Sequence, residues 1–447
     1  DTGNFTGCVT SVGEQPIVGL FGNSNGYRAL ADKTFAEALL NMVWCGIISI
    51  GSIKASANWM WSLPNEDEEE GYKMYNVMEH LNKLLMSSGI AVDGGKDSLS
   101  MVVNHEGKNI KGPGSLVLSF YAPCPDINCK VSPLISRHNT VLYHVDLSSG
   151  YKNMGGSCIM KSDIYCPPPK LRSMDNLLHV FNCIQQFIKE GKILSGHDIS
   201  DGGLITTLLE MAITSNMGID IIDKFDINSK FDMIQYLWTE EIGVVIEINK
   251  GDEDEVISTL LSINKKGYDY NYNYDMVYNT TNNSTNTKLY NYGNIKIVPV
   301  AKTRSDDKVN IYYKEIPILE STIMDIRKMW EWRSMTLDKL QCNPQCVDQE
   351  YNHWNNYDIN PFTYIDSNKH LNFSNNNIYN SSHIYDILNK SDRKFTVGII
   401  REEGSNSDRE LASAFYYAGF NVIDINSYDI LNNKVNINDF NGLAFCG

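Results

Sequence analysis

The chain has 447 residues, with 38 Lys and Arg against 54 Asp and Glu, giving a net charge of −16 and a pI near 5.0. That length predicts two to four domains, and 42% hydrophobic residues with 11% aromatics exclude wholesale disorder. The acidic balance, without any block of Lys or Arg, argues against nucleic acid or an anionic membrane as main partner. A phosphate ligand would need its charge met locally, by metal ions or backbone N–H groups.

The first residue is Asp1, and no basic segment precedes an apolar one, so a piece of a longer polypeptide is expected rather than a secreted precursor. The most apolar stretch, Leu39 to Ile53, contains Asn41 and is too short to span a membrane. The ten cysteines are scattered; Cys124/Cys129 and Cys342/Cys346 lack the spacing of structural zinc sites. Reduced thiols and a cytoplasmic location are the expectation.

In chain order, Lys33 to Trp44 and Met74 to Leu85 have helical periodicity, while Ile90 to Asp93 and Ser115 to Tyr121 are short apolar strands. A second block opens with a strand at Thr140 to Leu147. It continues with helices at Met174 to Lys189 and Gly203 to Ile213, and a strand at Gly243 to Ile248. Strands and helices mix without strict βαβ repetition, which predicts α/β and α+β domains with mixed sheets. Tyr268 to Gly293 and Asn352 to Ser382 are rich in Asn and Tyr and are expected to be loops or insertions. The second lies between a helix near Leu319 to Leu340 and a strand at Phe395 to Ile400, as a linker would. From Phe395 the pattern is strand, turn (Arg401 to Asn406), helix (Asp408 to Ala418), strand (Asn421 to Ile425) and strand (Gly442 to Phe445). This is the opening of a parallel, flavodoxin-like domain. Cys446 is expected in its core, not as a nucleophile.

Four segments carry candidate chemistry. Asp93 to Met101 (DGGKDSLSM) follows a strand-like run. Gly94 and Gly95 allow close backbone approach to an anion, Lys96 adds a positive charge, and Asp97 and Ser98 offer hard oxygens. The same residues would also make a plain hairpin turn. Glu37 and Asn41, four apart on a predicted helix, place a carboxylate and an amide oxygen on one face, suited to Mg²⁺ or simply to solvent. In Ser195 to Leu204 (SGHDISDGGL), Asp198, Ser200 and Asp201 precede a helix. One of them is expected to cap it, with the others free for a ligand, and His197 is expected to be an oriented structural histidine. Lys54 to Trp61 (KASANWMW) is explained by core packing, with Asn58 as a candidate substrate contact.

These blocks, with GEQP (Gly13 to Pro16), AEALLN (Ala36 to Asn41), PGSLVLSFYAPCPD (Pro113 to Asp126), TEEIGV (Thr239 to Val244) and REEGSNSDRE (Arg401 to Glu410), occur in an order that resembles the large, single-chain phosphoribosylformylglycinamidine synthases. The resemblance implies domains like those of aminoimidazole ribonucleotide synthetase. The expected boundaries are a second N-like copy at 1–135, a C-like copy at 136–318, a helix and linker at 319–394 and an incomplete class I glutaminase domain at 395–447. It implies a ligase reaction in which formylglycinamide ribonucleotide, ATP and glutamine-derived ammonia give the amidine, with ATP or ADP and Mg²⁺ as cofactors and the rest of the polypeptide as partner. No catalytic residue of this family maps onto the chain.

By motif, Glu37, Asn41 and Asp198 match the family's Mg²⁺ ligands, and Ser200 matches a nucleotide contact of its auxiliary ADP site. Gly95 and Ser98 fall where smaller relatives place nucleotide and substrate contacts. Lys96 stands where those relatives have a metal-binding Asn, which argues against a metal there. The competing reading is a non-catalytic nucleotide-binding scaffold that retains the fold.

Overall fold

The computed structural model describes residues 5–21, 26–65, 67–136, 139–160, 166–221, 229–262, 295–356 and 395–447. The Asn-rich segment Tyr268 to Gly293 lies outside these residues, as does most of Asn352 to Ser382. The chain divides into two compact units, 5–361 and 362–447 with the first four residues.

The larger unit begins with β1 (Gly7–Glu14), α1 (Gly26–Met42), β2 (Lys54–Met60), α2 (Glu68–Ser88) and β3 (Ala91–Ser98). The small hairpin β4 (Val102–His105) and β5 (Lys108–Lys111) leads to β6 (Ser115–Cys124). The main strands form a sheet in the order β1-β6-β2-β3, antiparallel except for the parallel β2–β3 pair. Local chemistry sets the helix ends. Asp67 caps α2 by accepting from the Glu69 and Glu70 N–H groups at 3.0 and 3.2 Å, and Gly89, with φ +74°, closes it. In β6 the side chains that face α1 are buried, and Phe120 meets Phe35 edge-on with centroids 5.5 Å apart.

A second, mixed sheet is built from β7 (Val141–Asp146), β8 (Ile193–Asp198), β9 (Ile219–Ile221), β10 (Gly243–Ile248), β11 (Lys296–Thr303), β12 (Lys308–Tyr313) and β13 (Ile316–Thr322). Its order is β13-β12-β9-β11-β7-β10-β8. The helices of this part are α3 (Met174–Lys189), α4 (Gly203–Ser215), α5 (Lys230–Trp238), α6 (Glu253–Leu261), α7 (Ile323–Gln341) and α8 (Pro344–Asn356). Strand β10 is buried throughout. Its one charged residue, Glu247, accepts from Ser195 Oγ (2.9 Å), the Ser136 N–H (2.8 Å) and Thr140 Oγ1 (2.8 Å), so the carboxylate tolerates the interior.

The mixed sheets agree with the expected fold class, and α3 and β10 have the predicted limits. Three expectations need correction. Leu319 to Thr322 belong to β13, because Thr322 caps the following helix and accepts from the Asp325 N–H at 3.1 Å, so α7 starts only at Ile323. Residues 352–356, expected in a loop, complete α8, whose first residue is Pro344, a favoured helix start. Strand β3 continues through Gly94 and Gly95 to Ser98, so the hairpin turn, one of two readings of these residues, is absent.

One hydrophobic cluster contains residues of both sheets, from Phe35, Trp61 and Phe120 to Phe181, Val244 and Ile246. A second fills the far face of the larger sheet and includes Leu208, Val300, Ile323 and Ile326. Gly196 of β8 shows how closely the parts meet: a Cβ there would stand 2.1 Å from the Trp44 ring. Gly196→Ala should therefore lower unfolding stability by about 2 kcal/mol through overpacking, measured by urea denaturation.

The smaller unit, over residues 395–447, has β14 (Thr396–Arg401), α9 (Asp408–Tyr417), β15 (Asn421–Asn426), α10 (Ser427–Leu431) and β16 (Gly442–Phe445). Both neighbours pair with β14 in parallel, as predicted. Cys446 is half-buried just past β16, rather than within the strand. Among the described residues no helix is long and apolar enough to cross a membrane.

Candidate functional site

Helix α1 lies against β1, and the chain leaving β1 passes Glu37. The Glu14 N–H donates to Glu37 Oε2 at 2.7 Å, and Gln15 Nε2 donates to Glu37 Oε1 at 3.1 Å. From the second sheet, the loop after β8 reaches the same carboxylate, where the Ser200 hydroxyl donates to Oε1. Gln15 also donates to Asp201 at 3.2 Å. Burial raises the Glu37 pKa, and the hydrogen bonds from Ser200, Glu14 and Gln15, with the attraction of the Lys33 ammonium, only partly oppose it. The hydrogen-bond partners of this half-buried carboxylate are all neutral.

Asn41 lies one turn further along α1 and donates from Nδ2 to the Val12 carbonyl at 3.0 Å, which leaves its amide oxygen as the outward acceptor. Asp198, 5% exposed, ends β8 two residues before Ser200. Glu37, Asn41 and Asp198 thus offer two carboxylates and an amide oxygen, hard donors of the kind Mg²⁺ takes. Among the described residues no group of three or more His, Cys, Asp or Glu side chains could hold a metal, so an amide or other neutral oxygen is required in any such cage.

The expectation that Asp198, Ser200 or Asp201 caps the following helix is not met. The N-cap of α4 is Gly202 in the left-handed conformation (φ +82°), with no side-chain cap. Its N–H instead donates to Glu240 Oε1 at 2.8 Å, leaving the three side chains free to face Glu37, Gln15 and His197.

Residues not singled out from sequence hold this arrangement together. Lys33, one turn before Glu37 and only 2% exposed, donates from Nζ to the Glu240 carbonyl at 2.5 Å. Glu240 Oε1 also accepts from the Cys158 N–H at 2.8 Å. The next residue, Glu241, accepts from Arg172 Nη2 at 2.8 Å, and burial raises its pKa against the pull of Arg172. The available signal was the pair of acids directly before the wholly apolar run IGVVI, since acids that enter a buried strand must be paired inside.

The second set of predicted residues lies elsewhere. Gly94, Gly95, Lys96, Asp97 and Ser98 are on β3, at the sheet edge opposite β1, three strand spacings or about 14 Å across. Gly95 is needed for packing, because a Cβ would lie 2.1 Å from the Ala57 carbonyl oxygen. Lys96 Nζ donates to Ser98 Oγ at 3.1 Å on the exposed edge. Asn58 is half-buried on the neighbouring β2, and Trp59 and Trp61 are core residues as expected.

His197 bridges Asp198 Oδ1 at 3.4 Å and Glu210 Oε2 at 2.9 Å. Burial opposes its charge, but hydrogen bonds and attraction from both carboxylates outweigh it and push the pKa up to about 10. A raised histidine pKa gives stability that is complete below the unfolded value of about 6.5 and is lost as pH rises towards the folded value. In EDTA, urea unfolding should therefore show a loss of roughly 2 kcal/mol over that window, after allowance for screening. His197→Gln should flatten this dependence.

Three family models match the chain: the FGAR-AT PurM_N-like domain at residues 1–123, the AIR synthase related protein C-terminal domain at 169–264, and the CobB/CobQ-like glutamine amidotransferase domain at 394–447. Among curated proteins, the probable phosphoribosylformylglycinamidine synthase of Arabidopsis thaliana, named chloroplastic/mitochondrial, is 35% identical over 99% of this chain and 28% of its own length. The phosphoribosylformylglycinamidine synthases of Dictyostelium discoideum and Homo sapiens are 33% and 31% identical, again over 99% of this chain and over 31% and 30% of theirs. A solved structure, T. maritima PurL complexed with FGAR, is a partial likeness with a TM-score of 0.48 and 11% identity, covering 73% of this chain and 46% of that one. The chain spans about three-tenths of the length of the curated relatives it matches. Along 99% of its residues the chain is similar to a part of the phosphoribosylformylglycinamidine synthases.

Proposed function

We propose that the chain is the part of a large synthase that binds an adenine nucleotide, ATP or ADP, through Mg²⁺ held by Glu37, Asn41 and Asp198, with Ser200 at the phosphates. The observation that carries this reading is the Glu37 carboxylate, desolvated yet hydrogen-bonded only by neutral donors. A bound Mg²⁺ would add to the countercharge that Lys33 supplies only through space, and would neutralise nucleotide phosphates. The Ser200 hydroxyl, now donating to Glu37, can turn its proton to a phosphate oxygen once a cation satisfies that carboxylate. The N-terminal end of α4 adds a favourable potential for an anion beside it.

Within a full-length synthase this segment would serve the conversion of formylglycinamide ribonucleotide, with ATP and glutamine-derived ammonia, to formylglycinamidine ribonucleotide. The names of the curated relatives support that reaction. The exposed edge strand carrying Gly94, Gly95, Lys96, Asp97 and Ser98 is assigned to a separate nucleotide or substrate contact, completed by other parts of the polypeptide. The expected domain limits, 1–135, 136–318, 319–394 and 395–447, are kept for this scheme, with the third moved to follow β13 at Thr322. A reducing, cytoplasmic setting suits the ten free cysteines.

Calorimetric titration of the chain with ADP tests the site. With Mg²⁺ present, Glu37→Gln should weaken ADP binding by about tenfold or more, while in EDTA the variant and parent should bind alike. Equal affinity in Mg²⁺ would refute the assignment.

A further inference from the structure

Strand β7 ends at Asp146, which is 5% exposed and accepts the Ser148 N–H at Oδ1 with a 2.7 Å bond. Its partner strand β10 sets Gly243 opposite Asp146, so the segment from Thr239 to Ile242 runs past this carboxylate. Helix α5 adds Tyr236, whose hydroxyl lies 2.7 Å from His144 Nδ1. Together they enclose a cavity of about 10 Å³ with Asp146, Ser148, Tyr236, Thr239 and Glu241 in its wall. That volume suits one species the size of a water molecule.

Positive charge reaches the wall at groups other than Asp146, from Arg172 on Glu241 and from Lys152, 5.8 Å from the Tyr236 ring centroid. Glu241, 4% exposed, uses Oε1 for Arg172 and the Asn153 N–H, and its Oε2 is buried with no hydrogen-bond partner. Among the described residues no Lys or Arg forms an ion pair with Asp146. Lys296, its cross-strand neighbour, extends to Gly150, where its Nζ lies 2.8 Å from the place of a Cβ. His144 is buried, and burial lowers its pKa, so it stays neutral. Glu241 is already paired with Arg172, which leaves Asp146 as the one uncompensated carboxylate. Unlike the Glu37 site, a cavity of this size has no room for nucleotide phosphates to add charge, so a monovalent ion matches it.

We propose that this cavity binds one dehydrated monovalent cation, K⁺ or NH₄⁺ in size, between the Asp146 and Glu241 carboxylates and the neighbouring hydroxyls. The site is distinct from that of Glu37, and it ties the end of β7 to the turn that enters β10.

Thermal denaturation of the full chain in KCl, NH₄Cl or tetramethylammonium chloride, at matched ionic strength, tests this. Tm should rise by about 2 °C per tenfold increase in K⁺ or NH₄⁺ once the site is filling. Tetramethylammonium, too large for the cavity, should give no such rise, and the increment should vanish in Asp146→Asn and Glu241→Gln. An equal rise with all three salts, or a rise retained in both variants, would overturn the proposal. If neither variant folds, anomalous diffraction from Rb⁺-soaked crystals of the parent chain decides. A peak in the cavity supports the site, and a cavity holding water alone rejects it.

Discussion

Lys33 is a cation with almost no access to water, and the position of its ammonium determines much of the surrounding structure. A buried lysine is stable only if its proton donors find acceptors, and here the Glu240 carbonyl accepts. That contact joins the helix on the first sheet to the turn entering β10 of the second. The Glu240 side chain then extends the link to Gly202 and Cys158. Because Gly202 is held by Glu240, the loop after β8 takes a course that carries Ser200 onto Glu37. The candidate site is therefore a product of the junction between the two sheets and belongs to neither alone.

This arrangement also explains how a chain with a net charge of −16 can accommodate nucleotide phosphates. The acidic residues near the junction are not left facing the ligand unopposed. Glu240 is occupied by backbone donors, Glu241 by Arg172, and Asp198 faces a charged His197. Glu37, like Glu240, has only neutral hydrogen-bond partners, but it is the more exposed of the two, and the proposed Mg²⁺ binds there. The monovalent-cation cavity applies the same reasoning at Asp146, on another part of the same sheet.

Much of the fold was legible in the sequence where one physical signal dominated. The apolar run of β10 and the amphipathic α3 gave their limits directly, and the short strands of the smaller unit theirs to within one residue. Glu37, Asn41 and Ser200 were likewise legible as candidates, from spacing and from family resemblance. The errors arose where tertiary packing overrode local chemistry. Gly94 and Gly95 have the composition of a turn, but pairing with β2 keeps them extended, and the Ala57 carbonyl leaves no space for a Cβ at Gly95. Asp198, Ser200 and Asp201 look like capping residues, yet a glycine takes the cap because its N–H has a better acceptor in Glu240, 38 positions along the chain. Lys33 escaped notice because a lysine in a helix is ordinarily solvated, and only the fold reveals that this one is buried.

The central claim is that α1 and the loop after β8 form a single metal-dependent nucleotide site. Anomalous diffraction from crystals of the chain grown with ADP and Mn²⁺ in place of Mg²⁺ tests it most directly. The account predicts a metal peak bridging the carboxylates of Glu37 and Asp198, with nucleotide phosphate beside Ser200. Nucleotide bound with its metal at the β3 edge, and no metal at Glu37, would contradict it.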